Sequence, residues 1–236
     1  MHLRGEGRSD NTLRPLSCEF GPLQNCDGSA IWKSGQTSVL AAVHGPTAPR
    51  QSQYESSHGC IVSLVIKSGS GGSVYDAEWE SFLTQQLYAC IVRESYPRCV
   101  ISIILQIVND DGSVLAAALH ASVSALMNAT IEMKYLPTAM TCFSRFKASN
   151  SSVDGTIALD PTNCEEESAQ AVLLLVFLPN SDSLIGCYTT ASLRRSSKQL
   201  INCCKIAALA IPAIQAFWHL SIEKVTLQSY QPQAMS

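Results

Sequence analysis

The chain has 236 residues, of which 46% are hydrophobic and only 15% are charged, and its formal net charge is −3. A chain of this length can bury a substantial core, and so small a charged fraction suggests that part of the surface is covered by partners. The slightly acidic balance excludes tight nucleic-acid binding driven by bulk charge alone.

The ten cysteines are expected to be reduced thiols in an intracellular protein. Residues 1–6 contain no apolar signal segment, and no Cys-x-x-Cys pair suggests a zinc site. We expect no metal, no cofactor and no membrane partner. No run is expected to reach the roughly 18 apolar residues of a membrane helix, because polar residues interrupt the nearest candidate, residues 201–220.

The pattern along the chain predicts a single domain over residues 12–230. Residues 1–11 are predicted to be a disordered tail and residues 231–236 a frayed one. Helices are predicted at about 75–94 and 196–230, and strands at 13–20, 29–33, 38–44, 60–67, 134–147, 156–160, 171–178 and 184–190. Because strands and helices do not alternate strictly, the pattern favours the α+β class.

The stretch at residues 100–127 is predicted to be the centre of the fold. An apolar, β-branched run ends at Asn109-Asp110-Asp111-Gly112, and an Ala- and Leu-rich run follows, which indicates a buried strand, a tight turn and a buried helix. Asp111 is expected to cap this helix. A helix that starts after a strand can bind an anion, but no Arg or Lys lies between Asp110 and Met127 to help hold one.

Other patterns give weaker signals. The Gly-rich residues 68–73 lack the Lys-Ser/Thr of a phosphate-binding loop, which favours a surface loop. Glu165-Glu166-Glu167 is either a metal or acid cluster or, more commonly, a solvated run. His120 is expected to be a core histidine, and the histidines show no i, i+4 pair. The residues alone therefore indicate a soluble α+β domain without an assembled catalytic site.

A set of spaced motifs adds a resemblance to a known family. The chain resembles the ribonuclease PH family, and most closely a non-catalytic ring subunit of the eukaryotic exosome. The residues that carry the resemblance are Arg14-Pro15, Glu19 and Gly21, Asp27-Gly28-Ser29-Ala30, Gly35, Thr37 and Val39, Gly45-Pro46, and Leu159-Asp160-Pro161-Thr162.

This resemblance implies a fold like that of domain 2 of ribosomal protein S5, with a mixed β-sheet flanked by helices. It implies a hexameric ring with other RNase PH-like exosome subunits, topped by cap subunits, around a path for single-stranded RNA. It also implies a location in the nucleus, nucleolus and cytoplasm. Arg50, which follows the Gly-Pro pair, is the first candidate to contact RNA, and Arg93 and Arg98 are weaker candidates.

The same resemblance implies that the catalytic positions are degenerate. Where active members have G-G-T-R-T, this chain has Asp111-Gly112-Ser113-Val114-Leu115, so that the phosphate-binding arginine falls on Val114. The remaining family positions fall near Gln85 for a helix arginine, on Ala171 and Leu173 for two aspartates, and on Glu167 for an acid. We therefore expect no catalytic residue.

Two alternatives stay open at this point. One is a diverged nuclease, either weakly phosphorolytic or acting on DNA or RNA as a homodimer, with Asp160 and Glu167 as metal ligands. The other is a binding module outside the exosome.

Overall fold

The computed structural model describes residue 4 and residues 7–49, 58–68, 76–145, 156–179, 183–190 and 197–230. These residues form two β-sheets and four α-helices. The strands are β1 (Leu16–Phe20), β2 (Gly28–Ser34), β3 (Thr37–Thr47), β4 (Ile61–Ser68), β5 (Val100–Asn109), β6 (Thr138–Arg145), β7 (Thr156–Leu159), β8 (Ala171–Phe177) and β9 (Leu184–Thr189). The helices are α1 (Asp76–Cys90), α2 (Val114–Asn128), α3 (Asn163–Glu167) and α4 (Ser197–Tyr230).

The first sheet is mixed, as predicted, with the strand order β1-β2-β3-β5-β4. The β4–β5 pair is parallel and the other pairs are antiparallel. Its strands alternate apolar residues between two faces, so Trp32, Val39 and Leu105 are fully buried while Ile31 and Leu40 are half-buried. The second sheet is antiparallel throughout, in the order β7-β6-β8-β9. The α+β class is confirmed.

Helix α2 lies at the centre of the molecule, between the elements of both sheets. Thirteen consecutive residues from Val114 to Leu126 are buried, which confirms the predicted strand-turn-helix at residues 100–127. His120 is buried among the rings of Trp32 and Trp218, with ring centroids 4.8 and 5.3 Å away. The turn between β5 and α2 therefore lies between a largely buried strand and a buried helix.

Helix α4 has one buried and one exposed face. Ile214 and Trp218 pack into the core, and the Trp218 indole donates a hydrogen bond to Ser124 Oγ at 3.1 Å. Leu209 and Leu220 are exposed on the other side. The expectation that no segment reaches membrane-span length is wrong by length and composition, because Leu200–Leu227 of α4 passes that test. About 28% of the apolar window in this helix is buried, and α4 packs on β6 and β8.

Arg4, near the N-terminus, packs against the segment that joins β7 to α3. Arg4 is only 3% exposed, and its guanidinium donates a hydrogen bond to the Leu159 carbonyl at 2.7 Å and pairs with the Glu165 carboxylate. These partners offset the cost of burying the cation of Arg4, which lies in the segment predicted to be a disordered tail. Residues 231–236, predicted to be frayed, lie outside the described residues.

Candidate functional site

The candidate site is the turn between β5 and α2, where a free helix N-terminus could bind an anion. Gly112 adopts a φ of +81°, in the left-handed region that favours glycine. A Cβ atom at this position would lie 2.6 Å from the Pro161 carbonyl oxygen. Gly112 therefore allows the turn to pack against the segment that leads into α3.

Carboxylates of the chain itself already occupy the amides of this turn. The Gly112 N–H donates to Asp110 Oδ1 at 3.1 Å, and the Ser113 N–H donates to Glu166 Oε1 at 2.7 Å. The prediction that Asp111 caps α2 is wrong, since the N-cap residue is Ser113, no side chain caps it, and the Asp111 carboxylate lies 3.7 Å from Arg14 Nη1. The position that could accept a phosphate oxygen therefore holds the carboxylate of Glu166.

Arg14 supports the turn from its carbonyl side. Its Nη2 lies 2.7 Å from Asp160 Oδ1, and the same nitrogen donates to the Gly112 carbonyl at 3.1 Å. Burial alone would raise the pKa of Asp160, but hydrogen bonds and charge from Arg14 outweigh burial and hold that pKa below its ordinary value. The guanidinium is thus engaged with Asp160 and with the carbonyls of Asp111 and Gly112.

Helix α3 positions Glu166. Thr162 and Glu165 form a reciprocal capping box, and the buried Glu165 carboxylate pairs with Arg4. Glu167 lies on the exposed side of α3, where it accepts a hydrogen bond from Asn163 at 3.4 Å. The Glu165–Glu167 run is therefore neither a solvated run nor a metal cluster, because its three members face three different environments.

A cavity of about 70 Å³ adjoins the turn. Its polar end is formed by Asp110, Ser113 and Glu166, and its remaining wall includes Val114, Val172, Leu174, Trp79 and Tyr188. Burial raises the pKa of Glu166, the Ser113 N–H lowers it and the nearby Asp110 carboxylate raises it further, so that the net shift is upward. The cavity thus presents carboxylates where an anion site would present cations.

The structure brings together only some of the predicted site residues. Ser113 and Val114 line the cavity, and Gly112 forms the adjoining turn. Ala171 and Leu173 do not line it, because side chains alternate along β8 and both point to the opposite face, whereas Val172 and Leu174 face the cavity.

Two further predicted positions, Glu167 and Gln85, do not contact the turn. Glu166 contacts the turn in place of Glu167, and Gln85 lies on the exposed side of α1 with Thr84 and Tyr88, at a surface groove beside β4. The capping-box pattern Thr-x-x-Glu, which begins at Thr162, could have predicted where α3 starts and therefore that Glu166 lies in its first turn.

Two of the three predicted RNA-contacting arginines, Arg93 and Arg98, are described by the structure, and neither lines this cavity. Arg50 lies outside the described residues. The guanidinium of Arg93 stacks on the Tyr88 ring, with 3.7 Å to the ring centroid, and it donates to the Tyr88 hydroxyl. Arg98 is exposed and has a φ of +57°.

The described residues contain no group of three or more His, Cys, Asp or Glu side chains placed to hold a metal ion. Asp160 and Glu167, the metal ligands of the nuclease alternative, are not brought together. Asp160 is buried against Arg14, whereas Glu167 is exposed on α3.

Comparison with known proteins agrees with this architecture. The model of the 3′ exoribonuclease family, domain 1, matches residues 12–132, from the segment before β1 to just past α2. The protein named "Exosome complex exonuclease RRP46 homolog" in Arabidopsis thaliana is 39% identical over 179 residues, covering 75% of this chain and 71% of the relative. The protein of the same name in Oryza sativa subsp. japonica is 36% identical over the same shares. The chain therefore belongs to the 3′ exoribonuclease family.

Solved structures give the same result. The crystal structure of rice Rrp46 has a TM-score of 0.82 at 30% identity, covering 92% of this chain and 99% of that one. The Archaeoglobus fulgidus exosome with RNA bound to its active site has a TM-score of 0.74 at 15% identity, over 91% of this chain and 92% of that one, and this likeness concerns the fold alone. The RNase PH-like fold expected from the motifs is confirmed.

Proposed function

We propose that this chain is a non-catalytic ring subunit of the RNA exosome. In this role it assembles with other RNase PH-like subunits and with cap subunits and forms part of the path for single-stranded RNA. The proposal rests on the exosome subunits among its relatives, which include the Arabidopsis RRP46 homologue and an RRP41 homologue that is 29% identical over 192 residues.

Two features of the site support the absence of catalysis. Glu166 accepts the hydrogen bond of the Ser113 amide. Val114, which lines the cavity, stands where the family pattern has an arginine. Phosphorolysis needs inorganic phosphate held beside the scissile bond by cationic groups. A carboxylate at the amide repels phosphate, and Val114 offers it no hydrogen bond. Because loss of a single preorganised donor lowers a rate by roughly a hundred- to a thousandfold, the combined change leaves almost no turnover.

A phosphorolysis assay tests this part of the proposal. End-labelled single-stranded RNA is incubated with the purified chain, inorganic phosphate and Mg²⁺, alongside an active archaeal exosome core as positive control. We expect no nucleoside diphosphate above the level of a buffer blank. Phosphate-dependent product that co-elutes with the chain through two further columns would overturn the assignment, and phosphate-independent product would favour a hydrolytic nuclease.

Assembly is tested separately from chemistry. The tagged chain is expressed in cells of the organism from which it comes, and the proteins that co-elute with it are identified by mass spectrometry. The expected result is recovery of other RNase PH-like subunits and cap subunits in comparable amounts. A chain that elutes alone, while its fold is intact by circular dichroism, would favour a binding module outside the exosome.

The proposal includes localisation to the nucleus, nucleolus and cytoplasm, which a fluorescent fusion tests.

The RNA path is tested in the assembled ring. Arg50→Glu, Arg93→Glu and Arg98→Glu are each compared with wild type for single-stranded RNA binding at several salt concentrations. If an arginine lies on the path, its replacement should lower the affinity for RNA and reduce the salt dependence of binding by about one phosphate contact. Arg93 is expected to have the smaller effect because its guanidinium already stacks on Tyr88. Unchanged binding by all three variants would remove these residues from the path.

A further inference from the structure

Two cysteines stand at the start of the parallel strand pair in the first sheet. Cys60 immediately precedes β4, and Cys99 immediately precedes β5. Both are free thiols. The candidate site and the proposed function use neither of them.

The strand register places these two cysteines side by side. Ile61 of β4 is paired with Val100 of β5, and the Ile61 N–H donates a hydrogen bond to the Cys99 carbonyl oxygen at 2.9 Å. One step back along this parallel ladder, Cys60 lies beside Cys99. Neighbouring strands are about 4.8 Å apart, which lies within the Cα–Cα separation of roughly 4.4–6.8 Å that a disulfide spans.

The hydrogen bonds show that the ladder geometry extends to both cysteines. The Cys60 N–H donates to the Arg93 carbonyl oxygen at 3.1 Å, whereas the next N–H, that of Ile61, is directed to Cys99. The Cys99 carbonyl thus faces β4, and the next carbonyl, that of Val100, faces β3. Because successive backbone groups point to opposite sides, as they do in a β-strand, the chain is extended at Cys60 and at Cys99.

Both thiols lie on the inner face of the sheet. Since side chains alternate along a strand, Cys60 shares a face with Val62 and Cys99 shares a face with Ile101. Val62 and Ile101 are paired with each other, and both are buried in the core. Cys60 is only 1% exposed, whereas Cys99 is half-buried and packs against the same core. Cys99 is therefore the more accessible of the two thiols.

We propose that Cys60 and Cys99 form a reversible disulfide that joins the starts of β4 and β5, which makes this pair a site of thiol oxidation. Burial raises the pKa of the Cys60 thiol, the charge of Arg93 lowers it and the nearby Cys99 raises it again, with a net upward shift. Cys60 is thus suited to the second step, and the more accessible Cys99 to the first. Within the described ranges no group of three or more ligating side chains could hold a metal ion, so oxidation accounts for the pair better than metal binding does.

The oxidant required is a small disulfide such as glutathione disulfide. The Cys99 thiolate attacks one sulfur of the reagent, the reagent's S–S bond breaks and one glutathione leaves as its thiolate. Cys60, after losing its proton, attacks Cys99 Sγ in the mixed disulfide, which forms the protein S–S bond and releases the second glutathione. The two protein thiols lose two protons and two electrons, and the reagent gains them as two molecules of glutathione.

The test uses the full reduced chain, incubated with glutathione disulfide at mildly alkaline pH so that more of each thiol is ionised. Remaining thiols are then alkylated, and an unreduced digest is mapped by mass spectrometry. The expected result is one main crosslinked peptide pair, which contains Cys60 and Cys99 and disappears on reduction. The same oxidation in concentrated urea should distribute crosslinks over many cysteine pairs, because the strand register that brings these two together is lost.

Matched variants define the role of each thiol. Cys99→Ser should abolish the crosslink. Cys60→Ala should also abolish it and should leave Cys99 as a stable glutathione adduct, since no second thiol is present to displace the glutathione. Cys164→Ser, at an exposed cysteine on α3, should leave the crosslink unchanged.

Three results for the wild-type chain would overturn the proposal. These are a lasting glutathione adduct at Cys99 with Cys60 still alkylatable, a disulfide that joins Cys99 to a different cysteine, and full alkylation of both thiols. The wild-type map decides among these results even if a variant does not fold. None of them bears on whether the chain degrades RNA.

Discussion

The Glu166 carboxylate accepts a hydrogen bond from the Ser113 backbone amide at 2.7 Å, although the two residues are separated by 53 positions in sequence. The start of a buried helix has unpaired N–H groups and a positive dipole end, and both are satisfied here by a side chain of the same protein. The candidate site is therefore an anion position that the fold fills internally, and the described residues that line the adjoining cavity include no Arg or Lys.

The first prediction is that phosphate binding can be restored by changing two residues. The double variant Glu166→Ala with Val114→Arg exposes the Ser113 amide and supplies a guanidinium beside it. Phosphate should then bind with a dissociation constant on the order of millimolar, as expected for a helix N-terminus aided by one arginine. Isothermal calorimetry or phosphorus NMR line broadening measures this.

The control for this experiment is Glu167→Ala with Val114→Arg, which has the same composition but retains the carboxylate at the amide. It should bind phosphate much more weakly. Equal binding by the two double variants would show that Glu166 does not block the position.

The second prediction concerns the buried pair of Arg14 and Asp160. Asp160→Asn leaves the guanidinium of Arg14 buried without its counter-charge, which should lower the free energy of unfolding by about 3–5 kcal/mol. Urea denaturation followed by circular dichroism measures the change. Glu167→Gln, at an exposed acid a few residues away, should change stability by no more than about 0.5 kcal/mol. Similar stability losses in the two variants would contradict this account of Arg14.

The third prediction is a pH dependence caused by His120. Burial lowers its pKa to about 3, while its Nε2 accepts a hydrogen bond from the Ala139 N–H at 3.0 Å. Since the folded-state value lies below the ordinary value of about 6.5, the unfolded chain binds the proton first and stability is lost as pH falls from 6.5 toward 3. Between pH 7 and pH 5 this histidine should lower the free energy of unfolding by about 2 kcal/mol.

Urea denaturation at the two pH values measures this loss. His120→Gln should be less stable at both values, because the amide of Ala139 loses its acceptor, but its loss of stability on acidification should be smaller by about 2 kcal/mol. His219→Gln, on the exposed side of α4, serves as the control. An equal pH dependence in wild type and His120→Gln would exclude His120 as the titrating group.

The fourth prediction compares two glycines with similar backbone angles. Gly112 has φ +81° and no room for a Cβ atom, whereas Gly21 has φ +69° and its nearest neighbouring atom, in Asn128, is 4.0 Å away. Gly21→Ala should cost about 1 kcal/mol, from the left-handed backbone alone. Gly112→Ala should cost at least about 2 kcal/mol more, since the turn must move away from Pro161. Thermal unfolding of both variants measures the difference. Equal losses of stability would mean that the turn can move away from Pro161 at little cost in free energy.

Most of the fold could be predicted from local pattern. Alternating apolar residues marked the strands, and the change to an Ala- and Leu-rich run marked α2. The family motifs also prove to have structural roles in this chain. A Cβ atom on Gly28 would lie 2.4 Å from the Ala129 nitrogen at the end of α2, and Asp27 accepts a hydrogen bond from the Gly45 amide at 2.7 Å. Such contacts explain why these residue types occur at these spacings.

The site was less predictable because one residue of error in register reverses the face of a strand. Alignment placed the lost acids on Ala171 and Leu173, whereas the cavity is lined by Val172 and Leu174. In α3 the predicted acid, Glu167, is exposed, whereas its neighbour Glu166 contacts the turn. The burial of Arg4 could not be predicted either, since its partner Glu165 is 161 residues away in sequence.

The sequence by itself determined most of the elements, although not α3, and that the helix after β5 begins without a cation, because periodicity and residue type act over a few neighbouring positions. Only the tertiary structure decided what occupies that helix start. Strand register and the docking of α3 bring Glu166 to the Ser113 amide, and such long-range contacts depend on how the packed core fixes distant segments in space.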